Sequence, residues 1–201
     1  GWITFNNPAR LNAISLEMWD GLAVILEAFQ VDESVRVVVL KGAGGKAFVS
    51  GADISEFDNK RSTAIQKETY GRTMSMANYW LANIDKPMIA MIQGYCIGGG
   101  LATALSADIR FATPDSIFGI PAAKLGLGYE YEGLVRLSQV VGPARAKDIM
   151  FSARFLEAEE ALGIGLINYV YGRDELEKAI REYATLIAGN APLTVKAAKA
   201  A

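Results

Sequence analysis

The 201 residues carry 51% hydrophobic and 21% charged side chains, with a formal net charge of −2. That balance fits one α/β domain able to bury a sizeable core and leaves no electrostatic footprint for nucleic acid or an anionic membrane. With 0 histidines, Ser-His and Cys-His nucleophilic catalysis are excluded, and ordinary zinc hydrolase sites lose their usual ligand, so no metal is expected.

The single cysteine, Cys96, excludes an internal disulfide framework and fits a reducing compartment, so a cytoplasmic location is expected. Apolar runs such as residues 88–92 have the length of a core strand and fall far short of a membrane span. The chain opens inside a strand-like segment, Gly1-Trp2-Ile3-Thr4-Phe5, and stops inside a helix-like one, Thr194-Val195-Lys196-Ala197-Ala198-Lys199. We therefore expect it to be part of a longer natural chain.

In chain order, residues 2–6 read as a strand closed by Asn7-Pro8. Ser15 is placed to cap a helix through Gln30, with Trp19, Leu22, Ala23, Leu26 and Phe29 at helical spacing. Residues 35–40, β-branched and apolar, read as a strand buried on both faces, and residues 42–51 as a glycine-rich loop. Residues 65–84 look helical, with the polar stretch 59–73 as a mobile flap. A strand follows Lys86-Pro87, then Gly98-Gly99-Gly100 leads into a helix, and residues 108–112 form a further strand.

Residues 134–141 and 144–151 read as helices broken at Gly142-Pro143. A short helix over 157–162 and a strand over 167–171 come next. Asp174 and Glu177 are spaced as a capping box for a helix ending near Gly189. Strands alternating with helices predict a right-handed βαβ plan. Residues 1–189 are taken as one core, and 190–201 as the start of a helical C-terminal region.

Three glycine sites could carry chemistry. Gly42-Ala43-Gly44-Gly45-Lys46-Ala47 formally matches a dinucleotide fingerprint, but Phe48-Val49-Ser50-Gly51 after it is extended and then turning, where the fingerprint needs a helix. Ile97-Gly98-Gly99-Gly100-Leu101-Ala102 takes a strand into a helix, exposing backbone N–H groups that suit an anion or a developing oxyanion. In Ser50-Gly51-Ala52-Asp53-Ile54, Asp53 can cap a short helix and leave the Ala52 N–H directed outward. Together the last two sites make the halves of a two-donor hole.

Asn6-Asn7-Pro8-Ala9-Arg10-Leu11-Asn12-Ala13-Ile14-Ser15, residues 47–54 and 94–100, and Asp108 resemble the crotonase superfamily of enoyl-CoA hydratases, isomerases and their relatives. Phe118-Gly119-Ile120-Pro121, Val141-Gly142-Pro143-Ala144-Arg145-Ala146 and Glu157-Ala158-Glu159-Glu160-Ala161 keep the same order, so the resemblance covers nearly the whole chain. It implies an α/β fold of repeated ββα units with a helical C-terminal part, trimers or dimers of trimers, and an acyl-CoA thioester as substrate, with coenzyme A its only carrier and no separate cofactor. It also implies that the Ala52 and Gly99 N–H groups bind the thioester oxygen, beside Gly98, and that Ala52, Asp53 and Ile54 line the CoA path. Arg10, Lys41 and Lys46 are candidate phosphate partners, against the plainer reading of solvated surface cations.

The chain departs from the family where a hydratase keeps its two carboxylates. Ala102 stands two residues after the triple glycine and Ala122 follows the proline of Phe118-Gly119-Ile120-Pro121, and a methyl group cannot orient or deprotonate water. Leu125-Gly126-Leu127-Gly128-Tyr129-Glu130-Tyr131-Glu132-Gly133 offers Glu130 where enoyl-CoA and dienoyl-CoA isomerases resemble it with a single carboxylate. The expected activity is double-bond isomerisation with Glu130 as base. Hydration using Glu130 or Glu132, decarboxylation with Tyr129 on a substrate carboxylate, and non-catalytic acyl-CoA binding remain open at this point.

Overall fold

The computed structural model describes residues 1–56, 60, 62–129 and 131–201. In chain order the first elements are β1 (Trp2–Phe5), α1 (Leu16–Val31), β2 (Val38–Gly42), β3 (Ala47–Val49) and α2 (Ala64–Asn83). β4 (Met88–Ile92), β5 (Tyr95–Ile97), α3 (Gly99–Leu105), β6 (Ile109–Ala112), β7 (Ile117–Gly119) and α4 (Tyr131–Ser152) follow. The chain closes with β8 (Leu156–Glu157), α5 (Ala158–Gly163), β9 (Tyr169–Val170), α6 (Arg173–Ala188) and α7 (Pro192–Ala200).

One parallel sheet runs β1-β2-β4-β6-β9, and a second runs β3-β5-β7-β8 with only β8 antiparallel to its neighbour. Three times the chain lays a strand in the first sheet, a strand in the second and then a helix: β2-β3-α2, β4-β5-α3 and β6-β7-α4. This is the ββα repeat.

The strand periodicity of two sorts the first sheet's side chains between two cores. Val38, Leu40, Met88, Ala90 and Ile92 enter the main core with α1 and α2, while Val37, Val39, Ile89 and Met91 meet Leu176 and Ile180 of α6. Both faces are covered, which explains why residues 38–40 of β2 and the whole of β4 are apolar. Ser15 caps α1 by accepting from the Met18 amide at 3.2 Å, and Trp19, Leu22, Ala23 and Leu26 form its buried face, as the spacing predicts. The expected break in α4 falls at Gly142, whose φ of 78° and ψ of 158° interrupt the helix before Pro143.

Two expectations need correction. The segment 42–51 contains β3, whose three residues are buried beside β5; a run that short carries no periodicity to read. Glu177 forms no capping box: Gly172 caps α6 without a side chain, and Glu177 instead meets Lys41 at 3.2 Å and Arg181. The capping box is at Thr63 and Gln66 and starts α2, the helix expected over 65–84. Of the stretch 59–73, residues 59 and 61 lie outside the described residues. Among the described residues no helix is long and apolar enough to cross a membrane.

Candidate active site

Two glycines bring α3 onto the end of β3. Gly98 has φ 56° and ψ −119°, which an L side chain rarely adopts, and turns β5 into α3 while its amide reaches the Gly119 carbonyl at 2.8 Å. A Cβ on Gly100 would stand 2.1 Å from the Val49 carbonyl oxygen, so only glycine allows the first turn of α3 this close to β3. Gly99 differs from both. Its φ is ordinary, and a Cβ there would meet nothing nearer than the Ala52 amide nitrogen, at 3.9 Å. Glycine at this position leaves the space in front of Ala52 unfilled by a side chain.

Segment 50–53 is held from the other side. The Ile14 amide donates to the Gly51 carbonyl at 2.8 Å, and the Asp53 amide donates to the Ile14 carbonyl at 2.9 Å. In such a parallel bridge the middle residue, Ala52, directs its own N–H away from Ile14. Gly51, with φ 120°, supplies the bend that makes this possible. Among the described residues no backbone carbonyl accepts the Ala52 or Gly99 amide hydrogen. The structure thus brings the two glycine sites side by side and leaves both amides without a main-chain acceptor among the described residues.

Asn12, to which the sequence reading gave no role, braces this arrangement. It is fully buried, donates to the Ala43 and Ala47 carbonyls at 2.9 and 2.8 Å, and accepts from the Asn7 amide at 2.9 Å. Its positive φ of 57° suits asparagine, and the turn-rich run around Asn7-Pro8 was the available signal.

The other candidates divide. Asp53 is buried and accepts from the Ser55 hydroxyl at 2.7 Å, the Ser55 amide at 3.1 Å and Arg10 at 2.8 Å. These contacts, the Ser55 hydroxyl first, hold its carboxyl below the usual carboxylate range. Its side chain caps the short 3-10 turn Ile54–Glu56, as expected, and Arg10 is engaged there with Asp53 and Ser55. Ile54, 75% exposed, presents an apolar surface beside Ala52.

Lys46 precedes β3, at the opposite end of that strand from Ala52, in a 290 Å³ pocket with Tyr95, Asp115 and Arg173. Lys41 pairs with Glu177. Cys96 is wholly buried, which pushes its thiol above the ordinary range. Ala102 lies on α3, and Ala122 is the buried residue of the 3-10 turn Pro121–Leu125. Glu130 lies outside the described residues; on either side, the Tyr129 ring packs against Gly133 and Glu132 is exposed in the first turn of α4.

Repeated ββα units, with the start of α3 packed against the end of β3, define a protein of the crotonase fold. A family model described as "Enoyl-CoA hydratase/isomerase" matches residues 1–201. A "Short-chain-enoyl-CoA hydratase" of Clostridium acetobutylicum is 38% identical over 199 residues, 99% of this chain and 76% of the relative. A peroxisomal "Delta(3,5)-Delta(2,4)-dienoyl-CoA isomerase" of Arabidopsis thaliana is 32% identical over 209 residues, 98% of this chain and 75% of the relative. The crystal structure of an "enoyl-CoA hydratase/ carnithine racemase" from Magnetospirillum magneticum superposes with a TM-score of 0.93 at 40% identity, over 99% of this chain and 74% of that one. The chain belongs to the enoyl-CoA hydratase/isomerase family of acyl-CoA enzymes, within the crotonase superfamily.

Proposed function

We propose that this protein isomerises the double bond of an enoyl-CoA thioester through an enolate held by the Ala52 and Gly99 amides, with Glu130 as the only base. The observation that supports the reading is the proximity of the two segments: 3.9 Å separates the Ala52 nitrogen from the position a Gly99 Cβ would take, and neither amide donates to a main-chain carbonyl among the described residues. Charge develops on the thioester oxygen when a proton leaves C2, and two fixed N–H donors stabilise that oxygen more in the transition state than in the ground state. Glu130 takes the C2 proton of a 3-enoyl ester and returns it at C4, so one carboxylate suffices. Ala52, Asp53 and Ile54 border the path of the CoA moiety, with Gly98 behind the hole and Arg10 and Lys46 as phosphate partners. Coenzyme A enters and leaves as part of the substrate. The assembly is a homotrimer or a dimer of trimers, in the cytoplasm, where the unpaired Cys96 stays reduced.

Methyl groups at Ala102 and Ala122 favour isomerisation over hydration, because neither can position or deprotonate a water. Hydration stands as the second reading on the strength of the 38% identical relative named as a hydratase. Glu130→Gln separates them. Isomerisation of a 3-enoyl-CoA is expected to be abolished with CoA-ester binding intact; turnover at the wild-type rate in this variant rejects Glu130 as base. Rapid hydration of crotonyl-CoA by the wild type, lost on replacing Glu130 or Glu132, decides for the hydratase.

A further inference from the structure

α3 is only seven residues long, yet its orientation sets where the Gly99 amide points. Its N-terminal turn is fixed by the Gly100 contact with β3 and by Thr103, a buried residue whose hydroxyl donates to the Gly99 carbonyl at 2.9 Å. Two arginines grip the other end. Arg110, itself buried, donates through Nη1 to the Ala107 carbonyl at 2.6 Å and through Nε to the Leu166 carbonyl at 2.8 Å. Arg136, from α4, donates to the Ser106 hydroxyl, which in turn donates to the Ala102 carbonyl at 3.2 Å.

Arg136 is the unusual member. It is half-buried, burial alone lowers its pKa, and no carboxylate among the described residues pairs with it. A desolvated cation without a counter-charge costs stability, and an apolar side chain of similar length would pack there without that cost. The first half of α4 is also separated from the second by the Gly142 kink, and Leu137 and Val141 are its buried side chains. The Arg136–Ser106 contact therefore ties α3 to this half-helix at the carbonyl end of α3, where main-chain acceptors lack intrahelical partners.

We propose that Arg136, acting through Ser106, is a positioning residue that holds α3 so that the Gly99 amide stays aimed with that of Ala52 at the thioester oxygen. This rests on the donor-pair part of the function proposed above and does not depend on which carboxylate moves the proton. A shift of about 1 Å in a group aimed at a reacting centre lowers rates by up to about a hundredfold. Arg110 and the Gly100 contact keep the fold while that aim is lost.

The test uses 4-(dimethylamino)cinnamoyl-CoA, whose absorption moves to the red when hydrogen-bond donors polarise its thioester carbonyl. The wild-type protein is expected to shift the bound chromophore. Ser106→Ala and Arg136→Met should each lose about half of that shift or more, with the ester's Kd changed by less than about threefold and kcat on the enoyl-CoA that the wild type turns over lowered about tenfold. Arg136→Lys should recover part of it, and the Ser106→Ala/Arg136→Met double variant should lose no more than either single one. A merely structural contact predicts lower Tm with the red shift and kcat at wild-type values; that result overturns the positioning role. If Arg136→Met does not fold, Ser106→Ala decides, since it removes one hydroxyl. A wild-type protein that binds the ester with no shift overturns the donor pair itself, and the positioning role with it.

Discussion

A Cβ on Gly99 would stand 3.9 Å from the Ala52 amide nitrogen, and it would meet no atom of a neighbouring element more closely. Gly99→Ala is thus free of backbone clash and places a methyl group before the two amides. We expect Tm to stay close to wild type while kcat/KM falls about a hundredfold or more, the scale of losing an oxyanion donor. Thermal unfolding and steady-state kinetics on one preparation check both halves. Full activity in a well-folded Gly99→Ala protein removes the donor pair from the mechanism.

Gly100→Ala has the reverse profile. Its Cβ would lie 2.1 Å from the Val49 carbonyl oxygen and 2.7 Å from the Val49 carbonyl carbon, and main chain cannot yield as a flexible side-chain tip does. Overpacking of this kind costs about 1–3 kcal/mol, or several degrees in Tm for a chain of this length. An unchanged Tm means the start of α3 does not press on β3 as described.

Asp53 provides a pH-dependent element. Its carboxyl is held low by the Ser55 hydroxyl, then by the Ser55 amide and Arg10. A depressed folded pKa adds stability that is fully present above the unfolded value of about 3.9 and is lost as pH falls through the folded value. Wild-type Tm should therefore drop more steeply below about pH 4 than that of Asp53→Asn, whose Tm at pH 7 starts lower. Parallel Tm–pH curves exclude this contribution.

Lys199 fastens α7 to the strand ends. Its ammonium group donates to the Lys86 carbonyl at 2.8 Å and to Asp108 at 2.9 Å, and Asp108 also accepts from the Met88 amide at 2.7 Å. The Lys199 side chain is only 16% exposed, so its contacts are less screened than a surface pair. Lys199→Met should speed amide hydrogen exchange in α7 well before the core β-strands are affected, with about 1–2 kcal/mol of local protection lost. Exchange rising equally in α7 and β4 points instead to global destabilisation.

Long, strongly patterned segments are legible in the sequence. Ser15 capping α1, the doubly buried β2 and the break at Gly142 follow from local chemistry, and the structure repeats them. β3, β5 and β7 are not legible as strands, because each has three residues, too few to show an alternation. The capping box was misplaced because Asp174 and Glu177 have the right spacing, while the nearby Lys41 and Arg181 claim the Glu177 carboxylate. Asn12 carried no signal of its own, since its partners Ala43 and Ala47 become neighbours only when the β2–β3 corner folds over it.

The sequence alone determined the family, through spaced motifs in register, and the absence of histidine chemistry. It also determined the glycines that let main chain approach main chain, because a missing Cβ is a property of the residue itself. Only the tertiary structure decided that Gly99 faces Ala52, that Asp53 and Arg10 hold each other in a turn, and that Lys46 lies at the far end of β3. Those relations join segments tens of residues apart, and they are set by packing two sheets and the helices between them, which no local pattern encodes.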